Sequence, residues 1–204
     1  MKEYELAGTV GRFKPLTNSG QNLLEIVMEH TEHLIIGIGS CNRYNARNPF
    51  TAKETHEMLD RTLEHNNYSV IYVPDFAHLP NYESGRAWEQ YVISAFGQLE
   101  AFFTGNVWVS ELLAPYYKLI DGADYLQPEA RAKWIKSTRV RYEIAKGEAW
   151  KPLVPNPVAE FLEKAGLIKR FRAEFGAEVL ASTDKQYFYR APSLEQERIA
   201  VYQS

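Results

Sequence analysis

A chain of 204 residues, 45% of them hydrophobic, can bury one substantial core but not two full-sized ones, so one domain with an appendage is expected. Twenty-three basic against twenty-six acidic residues leave a formal charge of −3, which excludes a general electrostatic drive toward nucleic acid or anionic membranes and makes any phosphate binding local. The single cysteine, Cys41, excludes an internal disulfide and a cysteine-pair metal or redox site; with no secretory leader in Met1 to Leu6 and no run of roughly 20 apolar residues, the sequence predicts a cytoplasmic protein without a membrane anchor.

Glu5 to Val10 is a short apolar stretch before Gly11, and Gly20 to His33 carries Leu23, Leu24, Val27 and Met28 at helical spacing, so strand, loop and helix are expected. Leu34 to Gly39 is a β-branched run ending in glycine, as in a strand buried on both faces of a parallel sheet. Thr51 opens a helix through about His65, and Val70 to Val73 is a strand closed by Pro74. Arg86 to Phe96 predicts the next helix, Ala101 to Thr104 a strand ending at Gly105-Asn106, and Tyr116 to Leu119 a further strand. Arg139 to Lys146 reads as a short helix closed by Gly147. After the proline-rich stretch Lys151 to Pro157, Ala159 to Phe175 reads as a helix or a pair broken at Gly166 that caps the sheet. Gln186 to Arg190 is a candidate edge strand and Leu194 to Val201 a short helix. The expectation is an α/β fold: a Rossmann-like parallel sheet with helices on both faces, over residues 1–175, plus a small C-terminal helical extension, 176–204.

Open parallel sheets bind ligands at the carboxyl ends of their strands, so the turns there are the first candidates. The run from Gly11 to Gln21 joins the first strand to the first helix, whose free amides and positive dipole end favour phosphate oxygens. Gly11 permits close backbone approach, Arg12 and Lys14 offer charge-assisted hydrogen bonds, and Thr17, Asn18 and Ser19 supply small polar groups or a helix cap. The bland alternative is a turn and cap that any such connection needs. A second candidate, Lys136-Ser137-Thr138-Arg139-Val140-Arg141, opens a short helix and is equally readable as a capped, solvated face. Two such segments in one α/β chain point to a polyphosphate gripped from both sides.

These blocks resemble the archaeal-type nicotinamide-nucleotide adenylyltransferases of the nucleotidyltransferase superfamily. Gly11-Arg12-Phe13-Lys14-Pro15 is similar to that family's Gly-Arg-Phe-Gln-Pro, and Leu34 to Ser40 to its second strand. Asn48-Pro49-Phe50-Thr51-Ala52 matches its loop before the second helix, and Val73-Pro74-Asp75 and Thr104-Gly105-Asn106 match later strand ends. Thr138 and Arg141 fall on its Ser-x-Thr-x-x-Arg phosphate motif, followed by Gly147-Glu148 and Leu153-Val154-Pro155. The resemblance covers about Gly8 to Ala165 and implies transfer of AMP from ATP, with Mg2+, to nicotinamide mononucleotide (NMN), giving NAD and pyrophosphate in a homo-oligomer. It implies nucleotide contacts from Gly11, Arg12, Phe13, Asn48, Thr104, Gly105, Asn106, Lys136, Ser137, Thr138 and Arg141. Asp75 and Trp88 are implied on the NMN side, Trp88 by ring stacking, and no metal ligand is carried over.

The departures bear on chemistry. The superfamily signature His-x-Gly-His falls on Thr17-Asn18-Ser19-Gly20, so both histidines are replaced. A slipped pairing sets Asn18 and Gln21 on the two histidines and supplies only neutral amides. The resemblance implies that those imidazoles bind the triphosphate and stabilise charge on the phosphoryl group. Nucleotidyl transfer rests on positioning and electrostatic stabilisation, and one lost donor costs about 10²-fold to 10³-fold. The catalytic expectation then rests on Arg12, Lys14, Thr17, Gly20 and Arg141. Lys136 replaces the first serine of the C-terminal motif, and Thr55 stands where the family continues to an arginine. His30 and His33 read as surface residues late in the first helix; His78, in the loop after the third strand, reads as solvent-exposed, with approach to the site as the alternative. The expected function is nucleotide binding of the NMN adenylyltransferase type with transfer reduced or lost. A fully active adenylyltransferase using Arg, Lys and backbone amides, and a non-catalytic sensor or assembly partner, stay open.

Overall fold

The alternation of β-branched runs with amphipathic segments builds a five-stranded parallel sheet in the order β3-β2-β1-β4-β5. The structure is a computed structural model and describes residues 2–182. The strands are β1 (Tyr4–Gly11), β2 (Thr31–Gly39), β3 (Tyr68–Val73), β4 (Ala101–Phe103) and β5 (Leu119–Ile120). The helices are α1 (Asn18–His30), α2 (Ala52–Asp60), α3 (Asn81–Phe96), α4 (Val107–Leu113), α5 (Pro128–Ala132), α6 (Ser137–Lys146), α7 (Asn156–Lys164) and α8 (Leu167–Ala181).

The chain winds outward from β1 through β2 to β3, returns, and winds the other way through β4 to β5. Strand order therefore reverses between β1 and β4, the place at which open parallel sheets of this kind form a ligand crevice. Helices cover both faces, as the sequence predicts. One core gathers Leu24, Met28, Met58, Val140, Leu162 and Phe171 from α1, α2, α6, α7 and α8. The other gathers Trp88, Val92, Phe96, Val109 and Leu113 from α3 and α4.

Several boundaries differ from expectation. α1 stops at His30 because Thr31 is already strand, buried, with its hydroxyl donated to the Val27 carbonyl. His33 is therefore on β2, where its Nε2 meets Ser69 Oγ at 3.0 Å, and not on the helix. α2 ends at Asp60 instead of near His65, since the chain must turn before Asn67, whose amide donates to the Met28 and Thr31 carbonyls. α3 begins at Asn81 directly after Pro80, so Trp88 lies mid-helix. α4 has no counterpart in the sequence expectation: Asn106 accepts from Val109 N and caps a helix that starts directly after it. β5 is Leu119–Ile120, later than the predicted strand, because Tyr116 and Tyr117 close the turn after α4. The break at Gly166 does make a helix pair: this glycine has φ +70° and separates α7 from α8. α8 continues beyond residue 175 to Ala181, with Val179 buried in the main core. The candidate strand at Gln186 and helix at Leu194 lie outside the described residues.

Close approach of α3 to the sheet depends on two strand glycines beneath Phe96. A Cβ on Gly8 would come within 2.7 Å of both Phe96 Cδ1 and Leu99 Cδ1, and one on Gly37 within 2.9 Å of Phe96 Cζ. Overpacking of this kind costs about 1–3 kcal/mol. Gly8→Ala is expected to lower Tm by roughly 2–4 °C for each kcal/mol in a chain of this size. Thermal unfolding checks it, and an unchanged Tm would show that Phe96 repacks freely.

Candidate functional site

β1 runs out at Gly11, and the next turns of chain are set by packing. Phe13, at φ +50°, lays its ring over Gly11 so closely that a Cβ there would sit 2.5 Å from Phe13 Cζ. A glycine is therefore required at residue 11. Lys14 is fully buried and donates its Nζ to the Ser40 carbonyl at 2.8 Å, tying the turn after β1 to the end of β2.

The turn is then stitched to the segment that opens α6. Thr17 caps α1, accepting from Gly20 N at 3.1 Å while donating to the Ile135 carbonyl at 3.0 Å. Ser19 Oγ accepts from Ile135 N at 2.8 Å, and Ser137 Oγ donates to the Pro15 carbonyl at 2.8 Å. Asn18 donates to the Pro152 carbonyl at 2.9 Å. Arg141 completes the seam, its Nη1 donating to the Lys14 carbonyl at 2.9 Å and its Nη2 to Thr138 Oγ1 at 3.2 Å. The two helix beginnings singled out in the sequence thus meet, about 120 residues apart in the chain.

Charge collects at that seam. Arg141 is buried, and burial first, then Arg12 and Arg47, pull its pKa down to about 9. Burial and Arg47 lower the pKa of Arg12, which Asp75 pulls back up in part. Arg12 and Arg47 keep solvent access. Among the described residues none of the three guanidiniums has an ion pair. Three cations within electrostatic reach and without a paired carboxylate favour a polyanion between them.

Arg47 was not among the sequence candidates. It stands on a tight turn in which Asn45 Oδ1 accepts from Arg47 N at 3.1 Å and Asn48 N at 3.0 Å. Its only sequence signal is its place directly before the Asn48-Pro49-Phe50 block. Asn48 itself is buried, its Oδ1 without a hydrogen-bond partner among the described residues.

The remaining candidates are spread along the strand ends. Asp75, after β3, is a hub: it accepts from Arg43 Nη2 at 3.2 Å and Ala77 N at 2.7 Å, and its backbone pairs with Asn42. Thr104 Oγ1 accepts from Asn106 N at 3.1 Å, and a Cβ on Gly105 would lie 3.2 Å from Asp121 Oδ1, so β4 ends in a tight turn against the turn after β5. Gly105 and Asn106 are exposed. Lys136 is the residue before α6. Trp88 is not in an open position: it is buried against Trp108, ring centroids 5.0 Å apart, within the α3–α4 core. Lys14 and Thr17 likewise have their polar groups committed to protein carbonyls. Among the described residues no group of three or more His, Cys, Asp or Glu could hold a metal ion.

With the geometry in view, similarity to known proteins is informative. The cytidylyltransferase-like family model matches residues 9–184. A nicotinamide-nucleotide adenylyltransferase from Thermococcus kodakarensis is 35% identical over 170 residues, covering 80% of this chain and 85% of its own. One from Pyrococcus furiosus is 33% identical over 165 residues, again with 80% of this chain and 85% of its own covered. Among solved structures, a bifunctional NMN adenylyltransferase/ADP ribose pyrophosphatase from Francisella tularensis, complexed with AMP and a manganese ion, superposes with a TM-score of 0.62 at 17% identity, covering 85% of this chain. This chain spans about half of that larger protein, 53%, and at such identity the likeness is one of fold.

The Lys14 ammonium carries a testable consequence. Burial, moderated by Cys41 and reinforced by Arg12, lowers its pKa from 10.5 to about 8. Below pH 8 the side chain is charged in both folded and unfolded chains, so the cost of burying it is fully present. Between pH 8 and 10.5 the folded chain releases the proton first; the unfolded chain then binds more protons, and stability rises. Lys14→Gln has no group to titrate. Guanidinium unfolding is expected to show wild-type stability gaining on Lys14→Gln across that window, and parallel profiles would refute burial of the ammonium.

Proposed function

This chain belongs to the cytidylyltransferase-like family, with the nicotinamide-nucleotide adenylyltransferases, and from that premise we propose that it binds ATP and NMN in the crevice between β1 and β4 and transfers AMP between them slowly. The observation that carries this reading is the cluster of Arg12, Arg47 and Arg141, cations without paired carboxylates at the strand-order reversal. A triphosphate is the ligand whose charge and length such a cluster suits. Asn48 offers a buried acceptor, without a partner among the described residues, to a hydroxyl or amide of the ligand.

In the reaction, a phosphate oxygen of NMN attacks the α-phosphorus of ATP, the bond from that phosphorus to the bridging oxygen of the β-phosphate breaks, and pyrophosphate leaves. The arginines hold the triphosphate and take up charge on the departing pyrophosphate. Mg2+ arriving with ATP would neutralise phosphate charge; among the described residues no group of three or more His, Cys, Asp or Glu could hold it, so the nucleotide itself would be its anchor.

Slow transfer follows from what occupies the signature. The Thr17 hydroxyl is fully engaged as cap and crosslink, and Gly20 has no side chain, so neither supplies the donors implied for those positions. Loss of even one such donor costs about 10²-fold to 10³-fold in rate. A side chain at residue 20 needs a small shift of Leu16, since a Cβ there would be 3.2 Å from Leu16 Cδ1 and 3.4 Å from Thr17 Oγ1.

Purified protein supplied with ATP, Mg2+ and NMN is expected to give NAD and pyrophosphate well below the ordinary enzyme range of about 1–10³ s⁻¹. Gly20→His is expected to raise kcat, and Arg47→Ala to weaken ATP binding about tenfold or more. Wild-type turnover inside that range would sink the slow-transfer reading. Absence of any thermal shift with ATP, NMN or NAD would sink the binding reading. A shift with no turnover at all would leave a nucleotide-binding protein without the chemistry.

A further inference from the structure

Arg47 stands on the tip of a loop, and the face of a distant helix grips both sides of that loop. Before the tip, Tyr44 packs edge-on against Phe175 of α8 at 5.2 Å between centroids, bonds through its hydroxyl to Glu174, and has the Arg170 guanidinium 5.6 Å above its ring. After the tip, Arg170 donates to the Pro49 carbonyl at 3.1 Å and forks onto the Glu54 carboxylate at 2.6 and 2.8 Å, while Phe50 stacks on Phe171 at 6.2 Å. Residues 170, 171, 174 and 175 lie on one side of α8, at the i, i+1, i+4, i+5 spacing of a single helix face.

The loop needs such a grip. Arg47 lowers the pKa of both Arg12 and Arg141, which means that its charge is unfavourable next to theirs when no anion is bound. Left to itself, an exposed arginine on a four-residue turn would swing into solvent to relieve that repulsion. The turn's internal bonds from Asn45 set its shape, not its position relative to β1 and α6.

We propose that Arg170 is a positioning residue for the nucleotide phosphates: by clamping the loop at Tyr44, Pro49 and Glu54, it holds Arg47 against Arg12 and Arg141. This rests on the reading of the three arginines as the polyphosphate site. Arg170 touches no ligand and acts only through Arg47. Burial tends to raise the Glu54 pKa, yet the bonds from Arg170 and Thr51 outweigh it and hold it below the usual carboxylate value, in keeping with a persistent ion pair. The planar fork matters, since it reaches a carboxylate and a carbonyl at once.

The test is a double-mutant cycle on the full chain, read as calorimetric Kd for inorganic pyrophosphate and for ATP, with Tm recorded beside it. Arg170→Ala is expected to weaken both ligands about tenfold in the wild-type background and to have no further effect in Arg47→Ala. Arg170→Lys should recover only part of the loss. Should Arg170→Ala fail to fold, Glu54→Gln serves, because the amide keeps the helix-cap bond to Thr51 N but loses the ion pair. Equal weakening in both backgrounds, or a fall in Tm with Kd unchanged, overturns the proposal. If Arg47→Ala itself leaves pyrophosphate affinity intact, the polyphosphate reading fails; if Arg47→Ala weakens binding and Arg170→Ala does not, only the positioning role fails.

Discussion

A buried guanidinium organises this end of the sheet. Arg141 is held by the Lys14 carbonyl and the Thr138 hydroxyl, both neutral acceptors. Such bonds satisfy its donors without cancelling its charge, and an unpaired buried charge is among the costliest features that a fold can keep. The chain tolerates it because the surrounding seam fixes the acceptors in place: Thr17, Ser19 and Ser137 crosslink the turn after β1 to the start of α6. In the proposed function a bound polyanion supplies the missing negative charge. Ligand binding and stability of the folded chain are thereby linked, since the unfolded chain offers no such cluster.

The same logic explains the division of labour among the basic residues. Lys14 lies inside the protein as a strap between strand ends, where its charge is a burden relieved at high pH. Arg12 and Arg47 keep solvent access. Arg43 is already neutralised by Asp75 and serves to shape the loop after β2. Only cations left without a carboxylate present net attraction to phosphate, and their grouping could not be inferred from a chain whose overall charge is negative.

What was legible in the sequence was whatever repeats at short range. The β-branched run Leu34 to Gly39, the helical spacing of Leu24, Val27 and Met28, and the glycine after Lys146 each specify their element locally. So did the meeting of the two helix starts, because both carry hydroxyl and cationic residues suited to one ligand. What was not legible depended on tertiary context. Asn106 stands among the implied nucleotide contacts, and only the fold shows that its side-chain oxygen caps α4. Trp88 is implied by the resemblance as a stacking ring, and only the fold shows that Trp108 from α4, an element with no periodic signal in its seven residues, covers it. Arg47 was overlooked because a single arginine in a loop has no pattern; only the fold shows which charges it faces.

The exchange at residues 17 and 20 has a consequence for how binding energy is used. An imidazole titrates near neutrality and can strengthen its hydrogen bond as charge develops in the transition state. An arginine is charged throughout and grips a triphosphate about as well before reaction as during it. Interactions of that second kind tighten substrate binding without lowering the barrier between bound substrate and transition state. Thr17 meanwhile adds cap and crosslink stability, worth about 0.5–2 kcal/mol for a cap of this type. On the proposed function, the turn after β1 keeps the parts that hold a nucleotide and commits Thr17 to structural bonds, so affinity is expected to survive the exchange better than rate.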